Sequence, residues 1–144
     1  MSTTTGRLLL DSYPMRRALP EDVDELERLE ATLFPDNCMN ARTLAIELNH
    51  SVCFVERNED GLGAYLLARV EGDLVDILRV GVLSQYRKTG LASRMLTMAL
   101  KLAPKAMLMV RKDNVGAVRL YRSFNFSITG EYENNWVMVT SACC

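Results

Sequence analysis

The sequence predicts an α/β fold: a mixed sheet of about seven strands with helices on both faces. Three observations carry that expectation. An apolar, β-rich run at residues 74–82 passes through a short basic loop into a helical pattern at residues 91–102. Strand and helix signals follow one another in the order βααβββαβαββ. The chain has 144 residues, 49% of them apolar and 24% charged, enough for a single real core.

Residues 1–12 read as a loose tail, and 13–144 as one domain with no repeat, low-complexity segment or Pro/Gly-rich linker to divide it. Residues 15–19 read as a short strand. Pro20 suits a first helical position, and Glu21, Asp22 and Asp24 follow near the positive end of that helix. Val23, Leu26, Leu29 and Leu33 give it an apolar stripe, which Phe34-Pro35-Asp36-Asn37 ends. Residues 41–48 read as a second helix, stopped by Asn49. Strands are expected at 51–57 and 63–70, joined by the hairpin composition Asn58-Glu59-Asp60-Gly61, and then at 74–82 after Glu71-Gly72-Asp73. Beyond the long helix come a short buried strand at 106–110, a helix at 115–124, and a closing hairpin, 128–132 with 136–140.

Composition excludes several function classes. The formal net charge is −1, so no global positive field attracts nucleic acid. The N-terminus lacks a signal-peptide layout, and no apolar run is long enough to cross a bilayer. Cys38, Cys53, Cys143 and Cys144 show no metal-like spacing and read as reduced thiols of a cytoplasmic protein, with Cys53 in the core. No metal site is expected. Basic residues cluster at Arg79, Arg87, Lys88 and Arg94, and again at Arg111, Lys112, Arg119 and Arg122. A polyphosphorylated ligand accounts for them; solvated helix faces are the alternative for Arg94, Arg119 and Arg122.

Arg87-Lys88-Thr89-Gly90-Leu91-Ala92 is the most informative stretch. A strand, a short loop and a helix start bring several free backbone N–H groups around one point, at the positive end of the helix dipole. Gly90 permits close backbone approach and Ala92 keeps the next turn slim, so the segment suits a pyrophosphate. The spacing Arg-x-x-Gly-x-Ala resembles the coenzyme A loop of the Gcn5-related N-acetyltransferase (GNAT) family, and residues 79–86 resemble that family's fourth strand and entry turn. A second segment, Asn114 to Phe126, matches the family's Asn-x-x-Ala-x-x-Leu-Tyr-x-x-x-Gly-Phe, with Asn125 in place of the glycine. Within the family, Leu33-Phe34-Pro35 and the run from Leu108 to Asn114 are most similar to the ribosomal-protein alanine N-terminal acetyltransferases. The resemblance covers nearly all of the chain beyond residue 12.

The resemblance implies a GNAT-like sheet and an acetyl-CoA-dependent N-acetyltransferase. The amine acceptor would be a protein or peptide, with a small-molecule amine, or a non-catalytic coenzyme A-binding module, as alternatives. The pantetheine arm would lie between the splayed fourth and fifth strands, against Val80, Gly81 and Val82. Gly81 inside a strand also fits a tolerated small residue beside a packed helix. The pyrophosphate would sit on Arg87, Lys88, Thr89, Gly90, Leu91 and Ala92. Asn114 would touch the arm, or serve simply as a helix cap. Tyr121 takes the family's place for the general acid that protonates the leaving thiolate; a phenol, with an ordinary pKa of about 10, is protonated at neutral pH. The Val80 N–H would polarise the thioester carbonyl. In the most similar subgroup the segment begins Leu-Glu-Val-Arg and the glutamate is the base. Here Met109 stands there, leaving Asp76, Glu131 or Glu133 as substitutes; His50 reads as a helix-end residue. The acceptor groove would have Phe34, Pro35 and the Asn40 region on one wall, and Glu131, Tyr132, Asn134 and Trp136 on the other. Glu131 and Glu133 would suit a cationic acceptor. The chain would be a monomer or homodimer.

Overall fold

The computed structural model describes residues 15–141; the expected tail at 1–12, Cys143 and Cys144 lie outside them. Seven strands form one sheet, in the order β1-β2-β3-β4-β5-β7-β6. In chain order the elements are β1 (Met15–Arg17), α1 (Val23–Leu33), α2 (Ala41–His50), β2 (Val52–Asn58), β3 (Gly61–Glu71), β4 (Leu74–Val82), α3 (Leu91–Leu100), β5 (Lys105–Arg111), α4 (Val115–Ser123), β6 (Ser127–Tyr132) and β7 (Asn135–Ser141). The predicted order and mixed sheet are therefore observed.

The boundaries differ for identifiable reasons. Pro20 opens a 3-10 turn, Pro20–Asp22, rather than the α-helix itself. The Asp22 carboxylate folds back to accept from the Leu19 N–H (2.7 Å) and takes both arms of Arg16 at 2.8 and 3.0 Å, which tightens that turn. The long helix stops at Leu100, not Leu102: the Lys101 and Leu102 N–H groups bond three residues back, and Pro104 steers Ala103 away from helical backbone. The second helix runs past Asn49 to His50, where the Ser51 N–H closes it on the Glu47 carbonyl.

Two apolar layers sandwich the sheet. Leu26 and Leu29 of α1 and Leu44 of α2 pack on Cys53, Val55, Tyr65 and Leu67. On the other face, Leu91, Met95, Leu96 and Ala99 of α3 and Tyr121 of α4 pack on Leu66, Ala68, Val75, Ile77, Leu108, Val110 and Met138. β3 is covered on both sides, which is why it reads as an almost unbroken apolar run.

Two irregularities in β4 prepare the site. Opposite β3, Leu67 pairs with Arg79 but Ala68 pairs with Ile77, so Leu78 is the extra residue of a bulge. On its other edge β4 runs parallel to β5 only from Leu74↔Lys105 to Ile77↔Leu108. β5 continues to Arg111 on β7 alone, so beyond Ile77 the two central strands part.

The Arg16 guanidinium holds the Asp22 carboxyl below the ordinary carboxylate range. A lowered folded-state pKa stabilises the fold above the unfolded value, about 4, and that contribution disappears as pH falls through the folded value. Thermal melts followed by circular dichroism are expected to show Tm falling below pH of about 4. Asp22→Asn should lower Tm at pH 7 and flatten that acid decline.

Candidate active site at the parting of β4 and β5

The loop from β4 to α3 gathers backbone N–H groups at the start of the helix. A 3-10 turn, Ser84–Tyr86, leads into Lys88 at φ 65° and Gly90 at φ 81°. Thr89 braces the turn by donating its hydroxyl to the Tyr86 carbonyl (2.7 Å), and the Arg87 Nε–H donates to the Val82 carbonyl (3.0 Å). The first N–H of α3 with an internal partner is that of Arg94, bonded to the Gly90 carbonyl. Among the described residues the N–H groups of Lys88, Thr89, Gly90, Leu91, Ala92 and Ser93 donate to nothing. This is the open array of donors the sequence predicts. The Lys88 and Arg87 side chains are both exposed beside it.

The strand ahead of the loop supplies the slot. Val80 and Val82 turn toward the α3/α4 layer, while a Cβ on Gly81 would point the opposite way, 2.7 Å from Leu33 Cδ1 and 2.8 Å from Tyr65 Cε1. Gly81 is therefore a packing glycine: α1 and the Tyr65 ring leave no room for a methyl group. It also lies on the stretch of β4 that has no partner strand on the β5 side.

Tyr121 belongs to the same apolar cluster as Val80, Val82, Leu91 and Val110 and packs edge-on against Phe126, with ring centroids 5.9 Å apart. Burial pushes its phenol up to about 12. The ring is 8% exposed, yet the hydroxyl bonds to no described residue and is not sealed from solvent. Asn114 does cap α4, accepting the Ala117 N–H at 3.2 Å through Oδ1. Its amide Nδ2 donates to no described residue, so capping leaves a donor to spare.

The residues around the groove sort by face. Met109 pairs with Val137, points away from the α3/α4 layer and is 52% exposed. Asp76 shares that face, level with Met107 and Arg69, one residue short of the last β4–β5 pair. Burial raises its carboxyl above the ordinary value. Glu131 sits across from Trp136 and pairs with the Lys112 ammonium, which itself lies 4.5 Å over the Trp136 ring. Glu133 occupies the β6–β7 turn at φ 53°, and Tyr132 is 59% exposed. His50 lies exposed at the end of α2. Phe34 ends α1, with Pro35 exposed after it.

Arg79 departs from the expected phosphate cluster. It turns to the α1 side and forks onto Glu30, at 3.1 and 3.2 Å. It also donates to the Asn37 carbonyl (2.7 Å) and lies 4.4 Å over the Phe34 ring. Glu30 is fully buried and also accepts from the Tyr65 hydroxyl and the Met39 N–H (2.8 Å). Sequence reasoning missed Glu30. Its position four residues after Leu26 and three before Leu33 was the available sign that it faces inward.

The site is thus a half-paired parallel joint with an N–H-lined loop at its mouth. The chain matches the acetyltransferase (GNAT) family over residues 14–126 and belongs to that family, whose cosubstrate is acetyl-CoA. No curated protein sequence matches it. Solved structures share the fold. The PaiA N-acetyltransferase of Thermoplasma acidophilum, crystallised with coenzyme A, is 13% identical at a TM-score of 0.78, over 90% of this chain and 99% of that one. Naa50 of Arabidopsis thaliana, bound to the bisubstrate analogue CoA-Ac-MVNAL, is 23% identical at a TM-score of 0.77 over 90% and 99%. The ribosomal-protein-S18-alanine N-acetyltransferase of Escherichia coli is 16% identical at 0.77 over 89% and 92%. Among the described residues no helix is long and apolar enough to cross a membrane, and no cluster of three or more metal-ligating side chains occurs.

Gly90 has room for a methyl group, its nearest neighbour being Arg94 at 3.7 Å, so its requirement is conformational. Gly90→Ala should cost about 1–2 kcal/mol of stability, the penalty for left-handed backbone. It should also raise the Kd for coenzyme A in isothermal titration.

Proposed function

We propose that the chain transfers the acetyl group of acetyl-CoA directly to the α-amine of a peptide or protein. The observation that carries this is the open edge of β4 beyond Ile77, flanked by the N–H array of residues 88–93 and by a buried tyrosine whose hydroxyl bonds to no described residue. The two peptide-amine acetyltransferases among the similar folds support the acceptor class.

The diphosphate binds on Lys88, Thr89, Gly90, Leu91 and Ala92, with Arg87 beside it. The arm lies along Val80, Gly81 and Val82, and the Asn114 amide donates to it. The Val80 N–H polarises the thioester carbonyl as negative charge builds on its oxygen. The neutral amine attacks the carbonyl carbon, the C–S bond breaks, and Tyr121 gives its proton to the departing thiolate. Phe34 and Pro35 form one wall of the acceptor groove and Tyr132 the other. Glu131, which pairs with Lys112, and Glu133 belong to the same wall.

The base differs from that of the most similar subgroup. Met109 takes no proton. A peptide α-amine, with a pKa of about 8, already has a neutral fraction at pH 7, so attack proceeds without a dedicated base. Asp76, on the same face of the sheet as Met109, is the carboxylate assigned to accept the proton released afterwards. Met109 also favours the rival reading, a coenzyme-binding module without turnover.

Acetyl transfer to a panel of peptides and small amines, followed by thiol release, separates these readings. Coenzyme binding with no turnover on any acceptor overturns the enzyme. Tyr121→Phe should keep the affinity for coenzyme A and lower kcat by about 10²-fold or more. Because burial holds the phenol protonated up to about 12, kcat/KM should rise as the acceptor amine deprotonates and show no falling limb up to pH of about 10.

A further inference from the structure

We propose that Arg79 is the specificity residue of the acceptor site: it locks the α1–α2 loop in place and offers its remaining nitrogen, Nη1, to the carbonyl oxygen next to the acceptor's amine. The inference rests on the peptide reading above and deepens it.

The guanidinium is fixed on three sides. Nε and Nη2 fork onto the buried Glu30 carboxylate, Nη2 also reaches the Asn37 carbonyl, and the Phe34 ring covers one face. Glu30 is itself fixed by the Tyr65 hydroxyl and the Met39 N–H. The loop that follows α1 is thus held at Asn37 and Met39 by one buried ion pair, rooted in the β4 bulge. A side chain tethered so completely loses little entropy when a ligand adds one more bond.

Nη1 is left over. It donates to no described residue and is not sealed from solvent, although the side chain as a whole is only 18% exposed. A guanidinium nitrogen only donates, so its partner must be an oxygen or another acceptor. The position is decisive. Arg79 immediately precedes Val80, and its side chain lies on the α1/α2 face, which Met109 leaves open; Tyr121 and α3 close the other face. An acceptor must therefore approach past Arg79. Paired with Glu30, the guanidinium gives the site no net negative charge to attract a cationic polyamine. A peptide N-terminus has the fitting chemistry, with a carbonyl oxygen three bonds from the amine nitrogen.

The test uses the whole chain, acetyl-CoA and two acceptors: a short peptide with a free α-amine, and its alkene isostere lacking the first carbonyl oxygen. The wild-type protein is expected to show a KM about 10–100-fold lower for the peptide, consistent with the loss of one charge-assisted bond in a half-open site. Two variants guard against a folding artefact. Glu30→Gln with Arg79→Gln removes both charges together, and Arg79→Lys keeps a cation against Glu30 but lacks Nη1. Both should bring the two KM values together while leaving the KM for acetyl-CoA unchanged. If either folded variant keeps the wild-type ratio, Arg79 does not read the carbonyl. If the wild-type protein binds coenzyme A but acetylates neither acceptor, the peptide reading falls and this inference with it, an outcome distinct from the first.

Discussion

The structure turns on a parallel joint that closes for half its length. β4 and β5 are hydrogen-bonded through four residue pairs and then separate. Every feature of the site follows from that parting. The freed edge of β4 exposes main-chain groups with no partner strand. The strand ends in a loop whose N–H groups converge at the start of α3. Tyr121 and α3 close the gap on one face, and the exposed Met109 borders it on the other. The bulge at Leu78 bends the strand, and the Arg79–Glu30 fork ties the bent segment to α1 from behind, so the path of β4 is fixed by packing and charge rather than by a neighbour on its free edge.

Much of this was legible in the sequence. Element order came from periodicity and from turn chemistry such as Asn58 to Gly61 and Glu71 to Asp73. The array of unpaired N–H groups was legible because a strand running into a helix start, with Gly90 at the junction, leaves the first N–H groups of the helix without partners. Tyr121 was visible only through its motif; as a residue it is a tyrosine on an apolar helix face, and its packing against Phe126 is what a core tyrosine would also show.

Other features were hidden for physical reasons. Gly81 fitted a close cofactor approach and a packing glycine equally well; its missing side chain makes room for Leu33 and Tyr65 on the far face, which only the packed structure reveals. Arg79 counted with the basic cluster because a linear sequence does not reveal a bulge, and the extra residue moved its side chain to the opposite face. Glu131 suggested a cationic acceptor; it pairs with Lys112, just past the end of β5, across 19 positions, which no local pattern announces. Asn114 shows that the plain and the functional reading need not compete: one end of the amide caps the helix and the other remains free.

The same joint divides the sheet into two antiparallel blocks, β1 to β4 and β5 to β7, stitched along one short seam. A molecule wedged into the notch acts as mortar between two bricks, so occupancy and rigidity are one equilibrium seen from two sides. Cellular supply of the cosubstrate would then set how firmly this protein holds together as well as how often it turns over.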